Sequence, residues 1–114
     1  MFDIKMEFIR GVFFVRLEGE LTVNTTDIFE REVLSLLNKQ GIYKVVLNLD
    51  KLYYLDERGA NTLIKLSNII NNNNGRLSLC SLSSIQVKEE LYKVMDYHVM
   101  EANTELGAMR MMNV

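Results

Sequence analysis

Residues 44 to 49 read KVVLNL, an apolar run that follows neither strict alternation nor a helical period. A β-branched run of this kind suits a strand covered on both faces, which occurs in mostly parallel sheets flanked by helices. The segments on either side carry helical periodicity. Upstream, NTTDIFEREVLSLLNKQG sets Ile28, Phe29, Val33, Leu36 and Leu37 on one stripe, with Asn24 to Asp27 able to cap its start and Gly41 to mark its end. Downstream, a helix is expected over roughly Glu57 to Ile70, with Ala60, Leu63, Ile64 and Ile70 facing inward and NNNNG ending it as a turn. The chain is therefore α/β, with KVVLNL as its central strand.

The remaining segments fit that plan. FDIKMEFIRGVFFVRLEG reads as two strands joined at Arg10 and Gly11, a connection tight enough to impose an antiparallel hairpin at the sheet edge. RLSLCSL predicts another strand, and SSIQVKEELYKVM a third helix in which Ser83 and Gln86 have capping-box spacing. A short strand is expected near His98 to Met100, then a last helix opened by Asn103 or Thr104. The order is β-β-α-β-α-β-α-(β)-α, a small mixed sheet with about four helices. With 114 residues, 48% of them hydrophobic, residues 1–114 are expected to form one domain around one core.

Charge and composition exclude several functions. A formal net charge of -2 with mixed signs leaves no electrostatic footprint for nucleic acid or an anionic membrane. The apolar runs fall well short of the roughly 20 residues a membrane span needs, and MFDIKMEFIR has no signal-peptide core, so a cytoplasmic protein is expected. Cys80 is the only cysteine and reads as a buried strand residue; His98 is the only histidine and reads as a boundary residue. With one Cys, one His and acids scattered along helix faces, neither a metal site nor a nucleophile–base pair is expected. Asp56 to Gly59 matches the D-x-x-G element of nucleotide hydrolases, but no G-x-x-x-x-G-K-[ST] loop exists to hold phosphates. No enzyme activity and no cofactor are expected.

GELTVNT, VVLNLDKLYYLDERGANTLIKLSNII, GRLSLCSLSS and VMDYHVME follow one another in an order and spacing that resembles the anti-sigma-factor antagonists, single-domain bacterial proteins of the STAS family. The resemblance spans nearly the whole chain and is most specific from Val45 to Gly59. It implies a STAS-like fold and a non-catalytic protein that binds an anti-sigma factor, itself a serine kinase, and so takes part in partner switching and transcription regulation. In the family, phosphorylation of one serine at a helix start abolishes that binding. The pattern there is Asp-Ser-Ser/Ala-Gly-Leu-Gly, whereas this chain has Asp56, Glu57, Arg58, Gly59, Ala60 and Asn61. Glu57 thus stands at the phosphorylation position and offers no hydroxyl. Thr22 follows GEL where the family commonly has Gly-x-Leu-Asp, a second departure beside the same site.

Glu57 at a helix start admits two readings. Its fixed charge can imitate a phosphoserine, although it carries less than the ~-1.5 to -2 of a phosphate and Arg58 returns a positive charge beside it. Alternatively Asp56 is an N-cap and Glu57 a first-turn acid, each worth ~0.3 to 1 kcal/mol. In both readings the charged turn on a rigid scaffold suits recognition better than catalysis. The expected partner-binding residues are Asp56, Glu57, Arg58, Gly59, Ala60, Thr22, Asn24 and Tyr54. Of Tyr53 and Tyr54, one is expected in the core and one exposed as an interface anchor. The Met-rich AMRMMNV is read as the last helix covering the sheet, with a partner face as the alternative. The main expectation is a module for a protein partner such as an anti-sigma factor. A structural subunit of a signalling scaffold or transporter complex is the alternative, and both a monomer and a dimer remain open.

Overall fold

The computed structural model describes residues 1–42, 44–95 and 99–112. Five strands form one sheet in sequential order: β1 (Phe2–Ile9), β2 (Val12–Leu21), β3 (Lys44–Leu55), β4 (Arg76–Cys80) and β5 (Met100–Ala102). β1 and β2 pair antiparallel, and every later pairing is parallel. The hairpin turns on Arg10 and Gly11 with φ of 52° and 80°, the two left-handed positions of a two-residue turn whose twist matches its strands. β3 occupies the centre, as its continuous apolar run requires.

Each face of β3 meets a different layer. Val45, Leu47 and Leu49 join Phe13, Val15 and Leu17 of β2 in the main core, against Phe29, Leu37, Leu66, Ile70, Val87 and Leu91 from the helices. Val46 faces the opposite side with Val12, Phe14 and Cys80, beneath Ala108 and Met112. The helices of the first layer are α1 (Thr26–Phe29), α2 (Ser35–Gln40), α3 (Glu57–Asn72) and α4 (Ile85–Tyr92); α5 (Glu105–Met111) lies on the other face. Cys80 is buried as expected, and burial pushes its thiol pKa up, away from the reactive thiolate.

Several expectations need correction. The first helix is not uniform: a π-helical turn, Glu30–Leu34, separates α1 from α2. The wider turn rotates the stripe, so that Leu34 is buried while Ile28 and Leu36 are only half-buried. Its N-cap, Thr25, makes no side-chain capping bond because the hydroxyl accepts from Thr22 N–H and donates to the Glu20 carbonyl, both at 2.9 Å. Gly41 does end α2, left-handed at φ 60°. α3 buries Ala60, Leu63 and Ile70 as expected, but Leu66 completes its inner face and Ile64 is only half-buried.

The capping box falls one residue out of step. Ser84, not Ser83, caps α4 by accepting from Val87 N–H at 3.3 Å, while the Ser83 hydroxyl donates to Asp50 Oδ1 at 2.8 Å. Gln86 is consequently free to bond elsewhere. Thr104 caps α5 through Gly107 N–H. The short last strand lies at Met100–Ala102, and His98 falls outside the described residues.

Candidate protein-binding site

The parallel strands β2 and β3 end side by side, Leu21 against Leu55, and the chain turns into a helical segment after each. Ligand and partner sites of α/β sheets gather at these carboxyl ends, because loops there are carried on a rigid edge. Asp56 locks the two turns together. Its backbone is extended at φ -95° and ψ 179°, so the side chain faces the first turn of α3, where Oδ1 accepts from Gly59 N–H at 2.7 Å. Oδ2 accepts from Val23 N–H in the β2–α1 turn at 2.9 Å, and Asp56 N–H donates to the Leu21 carbonyl at 3.3 Å. One aspartate therefore satisfies an amide of each turn.

Gly59 explains how closely the turns approach. A Cβ at this position would collide with the Leu21 carbonyl oxygen and stand 2.8 Å from Leu55 Cδ1. Its backbone is ordinary helix, so the need for glycine is one of space. Thr22 builds the neighbouring turn. Its carbonyl accepts from the N–H groups of Thr25 and Thr26, both at 2.9 Å, and its hydroxyl accepts from Asn24 N–H at 3.2 Å. Val23 is held at the tip with 57% of its surface exposed.

The expected binding residues are thus brought to one end of the sheet, but in two roles. Asp56 is half-buried and Gly59 and Ala60 are buried, so these three shape the turn. Glu57, Arg58, Asn24 and Tyr54 are exposed, and Thr22 is half-buried. Among the described residues, neither Glu57 nor Arg58 enters an ion pair. Both side chains are left to solvent, at the positive end of the α3 dipole.

Tyr53 and Tyr54 are both exposed, at 56% and 41%, so the expectation that one packs in the core fails. The β2–β3 register shifts between Arg16 and Glu18 and again between Gly19 and Glu20, each time taking up one more residue on β3. These bulges replace alternation with burial at Leu49, Leu52 and Leu55, and they turn both tyrosines outward.

Tyr54 walls a cleft of about 390 Å³ between the α3 start and α4, with Glu57 and Ala60 on one side and Gln86, Glu90, Lys93 and Val94 on the other. Lys93 Nζ bonds Glu90 Oε1 at 3.0 Å, which raises the lysine pKa. The α4 side of this cleft and the apolar tip Val23 were not anticipated from sequence. Val23 was visible as a lone apolar residue in the polar loop TVNT, whereas the α4 residues become neighbours only through the sheet order. Among the described residues, no cluster of three or more His, Cys, Asp or Glu side chains is placed to hold a metal ion. Among the described residues, no helix is long and apolar enough to cross a membrane. What the site offers is a turn pinned by Asp56, with an apolar tip, two exposed charges without ion-pair partners among the described residues and an exposed tyrosine.

Known proteins agree with this architecture. The anti-sigma F factor antagonist of Paenibacillus polymyxa is 29% identical over 110 residues, covering 91% of this chain and 94% of the relative. An anti-sigma factor antagonist from Mycobacterium paratuberculosis superimposes with a TM-score of 0.85 at 15% identity, covering 100% of this chain and 96% of that one. The same fold occurs inside a much larger protein, the murine anion transporter Slc26a9, with a TM-score of 0.78 at 17% identity, covering 94% of this chain and 18% of the transporter. The model of the STAS domain family matches residues 3–97, and the chain belongs to that family.

Proposed function

We propose that this protein is a non-catalytic binding module of the anti-sigma-factor-antagonist kind, which engages a protein partner such as an anti-sigma factor through the start of α3 and the adjoining β2–α1 turn. The observation that carries the reading is the pair Glu57 and Arg58, exposed and without ion-pair partners among the described residues, on a turn that Asp56 fixes through two hydrogen bonds. The antagonist relative from Paenibacillus polymyxa supports the partner class. Thr22, Asn24 and Tyr54 complete the contact surface, and Gly59 and Ala60 act by shaping it. The reading places the protein in the cytoplasm, with no cofactor and no nucleic acid involved.

Control by serine phosphorylation is absent in this proposal, because Glu57 occupies the position of the family's serine and has no hydroxyl to accept a phosphate. The test is capture of the tagged protein's partners from its source organism, in parallel with Arg58→Ala. Recovery of an ATP-binding anti-sigma factor by the wild type, and its loss with Arg58→Ala at unchanged melting temperature, supports the reading. Recovery of transporter subunits or of a large sensory assembly would replace it with a scaffold role.

A further inference from the structure

β1 is an edge strand, and its outer side has the features of a self-pairing edge. It pairs with β2 in unbroken register from Phe2–Gly19 to Ile9–Val12. Edge strands are commonly blunted by proline, a bulge, shortness or charged side chains; β1 carries Asp3, Lys5 and Glu7, but the chain has no proline and β1 runs for 8 residues without a register shift. The ladder's phase is set at both ends. Glu20 N–H donates to the Met1 carbonyl, and the two-residue turn at Arg10–Gly11 closes on the Ile9–Val12 pair. Odd-numbered residues therefore exchange bonds with β2, and Phe2, Ile4, Met6 and Phe8 direct their N–H and C=O groups outward.

We propose that β1 is a homodimerisation edge, on which a second copy of this chain pairs antiparallel with Met6 opposite Met6. This register joins outward-facing groups to outward-facing groups, Met6 with Met6 and Ile4 with Phe8, so backbone bonds form across the junction. It also matches the side chains. Lys5 of each copy stands opposite Glu7 of the other, and the apolar row continues across, on the face where Met6 and Phe8 are 39% and 61% exposed.

Neighbouring registers are worse. Setting Lys5 opposite Lys5 also places Asp3 against Glu7, a repulsive arrangement at close cross-strand distance. Setting Ile4 opposite Ile4 restores charge matching through Asp3 and Lys5, but overlaps only residues 2–6, whereas the Met6 register overlaps residues 3–9. Charge complementarity and overlap select the same alignment. Two five-stranded sheets then become one continuous sheet, with α1 to α4 of both copies on the same side.

Sedimentation equilibrium of the wild type, Lys5→Glu and Lys5→Glu/Glu7→Lys tests this. Lys5 is exposed and its side chain makes no hydrogen bond or ion pair among the described residues, so Lys5→Glu removes no side-chain bond of the monomer; Arg16 opposite it on β2, bonded to Glu7 at 2.9 Å in the wild type, keeps a carboxylate neighbour in the double variant. The expected result is a wild-type dimer, dimerisation about tenfold or more weaker in Lys5→Glu because both intersubunit pairs become repulsive, and recovery in the double variant. Met6→Cys decides the register, since facing residues of a hydrogen-bonded pair lie about 5.5 Å apart at Cα, within disulfide range. Oxidation is expected to cross-link Met6→Cys and not Ile4→Cys. A wild type that stays monomeric at every concentration, a dimer indifferent to Lys5→Glu, or cross-linking through Ile4→Cys in preference would each overturn the proposal.

Discussion

Gln86 and Leu55 exchange two hydrogen bonds: Leu55 N–H donates to Gln86 Oε1 at 2.9 Å, and Gln86 Nε2 donates to the Leu55 carbonyl at 2.6 Å. A side-chain amide thus pairs with the last residue of β3 as a neighbouring strand would, where β4 has already ended at Cys80. The clamp sits directly before Asp56. It makes the first turn of α4 a support for the charged turn that opens α3, and with Asp56 it pins that turn from two sides.

Gln86→Leu removes both bonds and strands the N–H and C=O of a fully buried residue. The expected loss is about 1–3 kcal/mol of unfolding free energy, the range for stranded buried polar groups. Urea denaturation measures it. A change below about 0.5 kcal/mol would mean that water replaces the amide without cost, and that the clamp does not set the turn.

Gly59→Ala should be more damaging than a helix propensity scale predicts. Alanine is the best helix former, and at an exposed site the change stabilises by ~1 kcal/mol. Here the added methyl meets the Leu21 carbonyl, a backbone atom that moves only with the end of β2. The expected outcome is a loss of about 1–3 kcal/mol, as for other overpacked sites. Because Asp56 N–H also bonds that carbonyl, partner binding should fall along with stability.

These two positions show what the sequence made legible. Gly59 was visible within DERG, but nothing in its neighbours reveals that β2 ends against it. Gln86 has the spacing for half of a capping box because two adjacent serines leave the helix start uncertain by one residue. The contact it makes instead spans 31 positions and exists only once α4 lies beside β3. Local signals did carry the frame: the continuous run KVVLNL became the central strand, Arg10–Gly11 the hairpin turn and Gly41 the left-handed end of α2. The tyrosine pair failed for a related reason. Alternation fixes a side chain's face only while the ladder is regular, and two bulges between β2 and β3 are invisible to a period count.

Acid should destabilise the protein partly through Glu105. The Arg16 guanidinium donates to Glu105 Oε2 from Nε at 2.7 Å and to Oε1 from Nη2 at 2.9 Å, and Asn48 Nδ2 donates to Oε2 at 2.8 Å. The Arg16 bonds hold the Glu105 carboxyl below the usual carboxylate range, against the opposing effect of burial. A depressed folded-state pKa contributes stability that is present above the unfolded value, about 4.3, and is lost as pH falls through the folded value. Glu105→Gln should therefore cost about 1 kcal/mol at neutral pH, a charge-assisted bond discounted for solvent screening at a pair about a third exposed. The gap between wild type and variant should close on acidification below about pH 4. A constant gap from pH 7 to pH 2 would assign the loss to packing of α5 and not to the ion pair.

Glu57→Ser separates the two roles open to the acidic residue at the head of α3. Glu57 is exposed and lies in the first turn, so its interaction with the helix dipole is worth about 0.3–1 kcal/mol, and the variant should remain folded with a small drop in melting temperature. If the carboxylate imitates a phosphorylated serine, removing it relieves the partner of a repulsive charge, and affinity should rise about tenfold or more. If the residue serves capping and direct recognition, affinity stays level or falls. Titration calorimetry against the captured partner reads the sign directly. The serine variant also restores a hydroxyl beside Asp56, so incubation with an ATP-binding anti-sigma kinase provides an independent check. Phosphate incorporation into Glu57→Ser and none into the wild type would place the two residues at the same functional position, and its absence from both would argue against that equivalence.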